Sequence, residues 1–137
     1  MTLTTGATAV SIADHIFAYS TRIDFSAYAS GAEAVALNFT SPNDFFVCTV
    51  TNSIDSGSWA ASDIIAVIYR GNGETIYQSK WGVNATTLGQ NQATDPIRIV
   101  LPPNTVFKAV LSLQSATAMV GSGSVVLVGK KIGGSLA

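Results

Sequence analysis

Charge is what this sequence has least of. Only 11% of its 137 residues are Asp, Glu, Lys or Arg, against about 25% in a typical soluble domain. The net charge of −1 argues against a nucleic-acid partner, which needs a basic footprint. A surface so poor in charge must be built from Ser, Thr, Asn, Gln and backbone groups. Such a surface repels its neighbours weakly and is buried in a protein interface at little desolvation cost. The composition therefore points to assembly, with other copies or with a partner protein.

Cysteine and histidine are nearly absent: Cys48 and His15 stand alone. One cysteine excludes an internal disulfide, and one Cys with one His cannot complete a zinc tetrad. A single domain of this length buries roughly two-thirds of its unfolded surface, so no staple is required. Cys48 shares its parity with Phe46 and Val50 on a strand-like run and reads as a small buried hydrophobe. The nearest basic residues in sequence are Arg22 and Arg70, too remote to mark an activated thiol. His15 would have to serve any Ser–His or Cys–His dyad, with Asp14 or Asp24 as orienting acid, but adjacency in sequence is not triad geometry. Asp44, Asp55, Asp63 and Glu74 are spread over separate loops and strand ends and follow no calcium-loop pattern. We expect no catalysis, no cofactor and no metal.

Neither a leader nor a membrane span is expected from the pattern. The first basic residue is Arg22, so no positive n-region opens the chain. Residues 109–129 carry no charge, a length that suits a membrane helix. Ser, Gln, Thr and Gly fill the middle, which fits two β runs joined by a "GSG" turn better. The sequons at Asn38 and Asn84 read as chance matches.

What is present is a period of two. Residues 1–9 are small and polar, and residues 1–30 are expected to form an N-terminal arm. Ser11 and Asp14 could cap a short helix within 10–20. Residues 31–137 read as one β-sandwich domain. Strands are expected at "AVALNF" (34–39), "FFVCTVT" (45–51), "DIIAVIYR" (63–70), "TIYQSKW" (75–81), "PIRIVL" (96–101), "TVFKAVLSLQ" (105–114) and "SVVLVGKKI" (124–132). The second and third are apolar on both faces and should be central. "SPND" and "GNGE" are turns, the latter with glycines supplying positive φ on either side of Asn72. Residues 52–62, which hold Trp59, and 82–95 are loops. Short strands with Gly, Pro and Asn punctuation suggest an all-β antiparallel sandwich or barrel, and the sandwich is expected here.

One stretch, "GSGSVVLVGKK" (121–131), imitates a phosphate-binding loop. The true motif is G-x-x-x-x-G-K-[ST] between a strand and a helix. Five residues before Gly129 stands Ser124, and Lys131 occupies the place of the metal-binding hydroxyl. The intervening residues are β-branched and apolar. The stretch is a strand with solvated lysines at its end.

Aromatics gather around one expected hairpin: Trp59, Tyr69, Tyr77 and Trp81. Trp59, Tyr77 and Trp81 are the candidate contacts to a partner or a glycan, since such rings anchor interfaces and stack on sugars. The plainer reading is core and edge packing.

The strands "YRGNGETIYQSKW", then "DPIRIVLPPNTVFKAVLSL", then "GSGSVVLVGKKI" resemble small jelly-roll capsid decoration (cement) proteins of tailed bacteriophages. The resemblance covers residues 34–132, and its motifs are structural. It implies a jelly-roll-like sandwich on the virion surface, made in the host cytoplasm. Its partners would be the major capsid protein and two further copies in a homotrimer, without nucleic acid or membrane. The alternative is a carbohydrate- or receptor-binding sandwich of a tail or fibre.

Overall fold

Among the described residues there are eleven strands. They are β1 (Thr8–Ile12), β2 (His15–Tyr19), β3 (Ile23–Asp24), β4 (Glu33–Thr40), β5 (Phe46–Asp55), β6 (Ile64–Gly71), β7 (Glu74–Gly82), β8 (Asn91–Ala93), β9 (Ile97–Leu101), β10 (Val106–Gln114) and β11 (Ser122–Lys131). A single 3₁₀ turn covers Phe25–Ala27, capped by the Asp24 carboxylate, which accepts from the Ser26 amide. The computed structural model describes residues 8–29, 31–55, 64–82, 91–93, 96–114 and 121–132.

The strands form two antiparallel sheets. The larger runs β1-β2-β11-β5-β8, with β3 also on β11 and β9 also on β5; the smaller runs β4-β10-β6-β7. The connectivity has a simple physical form. The chain pairs with itself as one long hairpin: β2 with β11, β4 with β10, β5 with β9, and β6 with β7. The doubled chain is then wound so that successive pairs fall alternately in the two sheets. This is the jelly roll, which buries one face of each sheet and leaves few free edges. The tip of the long hairpin is Asn72-Gly73, both with positive φ (50° and 85°), the geometry a two-residue turn demands. Gly71, expected to share that role, has no positive φ and belongs to β6.

Alternation decides which side chains meet. On β5, Phe46, Cys48, Val50 and Ile54 point inward, and on β9 Ile97, Ile99 and Leu101 do the same. From the smaller sheet come Leu37, Ile65, Val67, Tyr69, Phe107, Leu111 and Leu113. Both doubly apolar runs are internal strands, as expected: β5 lies between β11 and β9, and β6 between β10 and β7. On the other side of the smaller sheet Ala66, Ile68 and Val110 form a second buried cluster with Val35, which explains why β6 is apolar on both faces.

Three expectations are corrected. Residues 10–20 hold a hairpin rather than a short helix. Ala13, at φ 51°, and Asp14 make its turn. A lone helical turn is costly to nucleate, whereas β2 gains a ladder along β11 and buries Ile16 and Ala18. Residues 8–24 thus contribute three strands to the larger sheet. The expected loop at 52–62 begins later, because β5 runs on to Asp55 along β11. The "GSG" is not a turn: Gly121 has φ 138° outside β11, but Gly123 lies within it.

The glycines that imitate a phosphate loop are packing residues. Gly123 and Gly129 face inward on β11. A Cβ on Gly123 would lie 3.0 Å from side-chain carbons of Ile54, Leu111 and Phe25, and one on Gly129 would lie 2.6 Å from Cys48 Sγ. Overpacking of this kind typically costs about 1–3 kcal/mol. Gly129→Ala is therefore expected to lower stability to urea by that amount. Cys48→Ala in the same chain should recover part of the loss, with a coupling energy above about 0.5 kcal/mol in a double-mutant cycle.

Candidate functional site

The residues singled out for contact fall on β7 or outside the described residues. Trp59 lies outside them. Tyr77 and Trp81 are both on β7, at register positions opposite Tyr69 and Ile65 of β6. Tyr77 is half-buried and packs against the main core. Its ring stacks on Tyr69 at 5.2 Å; Tyr69 meets Phe107 at 6.1 Å, and Phe107 meets Phe39 at 5.6 Å. The four rings form a row across β7, β6, β10 and β4, each within the distance at which aromatic pairs attract. Tyr77 is the outer end of that row.

Tyr69 is the polar point of the core. Its hydroxyl accepts a hydrogen bond from the Asn52 amide, 3.0 Å away across the sandwich. Both residues are buried, and burial pushes the phenol up to about 12. The pair ties the two sheets together at one register, because a buried amide without its partner is expensive.

The groups that could do chemistry are kept apart. Cys48 faces the core and His15 the opposite side of the same sheet, where it stacks on Phe17 at 5.8 Å. Burial pushes the Cys48 thiol up to about 11, away from the thiolate a nucleophile needs. Asp24, held below the usual carboxylate range by the Ser26 hydroxyl and amide, pairs at the Ser122 end of β11, while His15 pairs at the Lys130 end. Among the described residues no group of three or more His, Cys, Asp or Glu could hold a metal ion. Asp44 bonds Lys131 at 2.9 Å; this contact lowers the carboxyl's pKa and raises the ammonium's. Asp44 and Asp55 stand at opposite ends of β5. No helix of the described residues is long and apolar enough to cross a membrane.

Two surfaces stand out among the described residues. A hollow of about 750 Å³ beside the Asn72-Gly73 turn is lined by Arg70, Asn72, Gly73, Val106 and Lys108. Its Asn72 side chain accepts from the Val106 amide, and Arg70 pairs with Glu33 at 3.2 Å. Those groups therefore serve the turn and the sheet. The second surface is the outer face of the larger sheet. The register places Val10, Phe17 and Val128 in one row, Tyr19 and Val126 in the next, and Ile12 at the head of a third. Val10, Ile12, Tyr19 and Val128 are exposed. Below them Arg22 reaches the Ser122 hydroxyl at 2.8 Å and those of Ser53 and Ser124 at 3.4 Å. Sequence reasoning missed this stripe. Its only signal was the alternation within each strand, and the strands become neighbours only once their order is known.

No protein-family model matches the chain, and no curated protein matches it in sequence. Among solved structures, that of infectious bursal disease virus, Gx strain, is similar at TM-score 0.46 and 12% identity, over 94% of this chain and 34% of that one. A dimeric latent PorU from Porphyromonas gingivalis is similar at 0.45 and 12%, over 92% and 14%. The Gt strain of the same virus gives 0.38 and 10%, over 92% and 37%. The chain thus spans well under half the length of these matches. Its jelly roll is read from strand order and register.

The Tyr69 hydroxyl supplies a test by pH. Its pKa is raised in the fold, so the unfolded chain releases this proton first, and the stability it contributes is complete below pH 10 and lost as pH rises toward 12. Tyr69→Phe is expected to cost about 1–3 kcal/mol at neutral pH. The gap to wild type should narrow between pH 10 and 12 in urea titrations. The native Cys48 thiol should resist thiol reagents at pH 8 and react once the chain is unfolded.

Proposed function

We propose that this chain is a virion structural protein, a decoration (cement) protein that bridges coat subunits on a capsid surface, and that it is not an enzyme. The observation that carries the reading is where the resembling motifs fall. "YRGNGETIYQSKW" runs from the last residues of β6 through the hairpin tip along β7; "PIRIVLPPNTVFKAVLSL" runs through β9, its turn and β10; and "GSGSVVLVGKKI" runs along β11 with one residue beyond each end. They are successive parts of one jelly roll, an architecture that capsid and lectin domains share. Fold alone does not decide function, so the surface must. It is poor in charge, and its apolar stripe lies on a sheet face. Broad, neutral contacts repeated by symmetry give avidity without a strong single site.

In this reading the partners are the major capsid protein and two further copies in a homotrimer. The protein is made in the host cytoplasm and ends on the virion surface. The glycan-binding alternative draws less support. Tyr77, one of its three candidate residues, belongs to an aromatic row of the core.

The test is gradient sedimentation of source lysate with mass-spectrometric counting of this chain. A fixed ratio to coat subunits on intact particles is the expected result. A few copies per particle would favour a tail or fibre role. Absence from particles would overturn the reading.

A further inference from the structure

We propose that the outer face of the larger sheet, over β1, β2, β11 and β5, is where two copies of this chain meet about a two-fold axis running along the strands between β2 and β11. The first observation is β1. Its one strand neighbour is β2, and Ala9, Val10, Ser11 and Ile12 are all exposed. Among the described residues β1 packs chiefly on β2, and an isolated hairpin is marginal in water. Yet Val10 and Ile12 extend the stripe of Phe17, Tyr19, Val126 and Val128 across the sheet.

The second observation is that the stripe matches itself. A two-fold along the strands exchanges β2 with β11 and β1 with β5, row by row. Phe17 then faces Val128 of the second copy, Tyr19 faces Val126, Val10 faces Thr49, and Ile12 faces Val47. No carboxylate or guanidinium falls within these three rows. Lys130 takes the end row, opposite His15, and Arg98 on β9 lies outside the overlap. Each apolar side chain thus meets an apolar or hydroxyl partner, as an isologous contact requires.

Area sets the strength. Four strands about 4.8 Å apart and three rows about 6.8 Å apart give a footprint of roughly 400 Å² per copy. A stable dimer usually buries about 800 Å² per partner. The contact is therefore weak in solution and becomes effective where copies are already held close. On a capsid it would join trimers rather than build them. The inference does not rest on the virion reading: the chain can be absent from particles and still self-associate, or the reverse.

The test is a concentration series of the full chain by NMR and sedimentation velocity, from micromolar to millimolar. Expected are fast-exchange shifts confined to Val10, Ile12, Phe17, Tyr19, Val126 and Val128 and their neighbours, with a rising weight-average mass. Val128→Lys, at an exposed position, should abolish both. Val10→Lys is a second such variant should the first fold poorly, and Ile76→Lys on the other sheet should leave both unchanged. A monomer without shifts at millimolar concentration would overturn the proposal. So would concentration-dependent shifts at these six residues that survive both lysine variants.

Discussion

The ladder between β5 and β11 is the contact on which the rest of the molecule depends. It pairs Phe46 through Asp55 with Lys131 through Ser122 without a break. On its two flanks hang β2 and β3, on β11, and β8 and β9, on β5, with β1 beyond β2. Inward from it point Cys48, Val50, Ile54, Val125 and Leu127, which meet the smaller sheet. Along it, Gly129 leaves room for the Cys48 sulfur, and Gly123 for Ile54, Leu111 and Phe25. The same strand is held at its far end by the backbone bond from Ile132 to Phe45 and by the Lys131–Asp44 pair.

This constraint also accounts for what the protein does not display. The segment that imitates a phosphate loop is spent on packing. The one thiol is sealed under a glycine, and the one imidazole faces away from it. The aromatic hairpin contributes a ring to a row that crosses the smaller sheet. Among the described residues, what packing does not account for is a surface, apolar over part of one sheet. Such a surface suits many weak, repeated contacts, which is the common physical content of the assembly reading and of the two-fold contact.

Much of the fold was legible because several strands alternate cleanly. Ile97, Ile99 and Leu101 on β9, and Phe107, Ala109, Leu111 and Leu113 on β10, turn inward as their spacing requires. The Asn72-Gly73 turn was legible from its residue types, although its positive φ falls on Asn72 rather than on Gly71. The first hairpin was not, because Ala13-Asp14 is no usual turn pair and its strands are fixed by β11, more than a hundred residues away. Nor was the role of Gly123 and Gly129, since a glycine inside a strand is explained only by what lies across from it. The contact surface was least legible. Its six apolar residues come from three strands whose adjacency is a property of the winding, not of any local pattern.

Native-state hydrogen exchange along β11 tests the central claim most directly. If the β5–β11 ladder holds the jelly roll together, the amides of Val126 and Val128, which alternation turns toward β5, exchange only through global unfolding, with the same dependence on denaturant as the unfolding transition. β1 should open first and independently. Early exchange of Val126 and Val128 while β6 and β10 stay protected would contradict the account, because the smaller sheet would then stand without the strand said to close the sandwich.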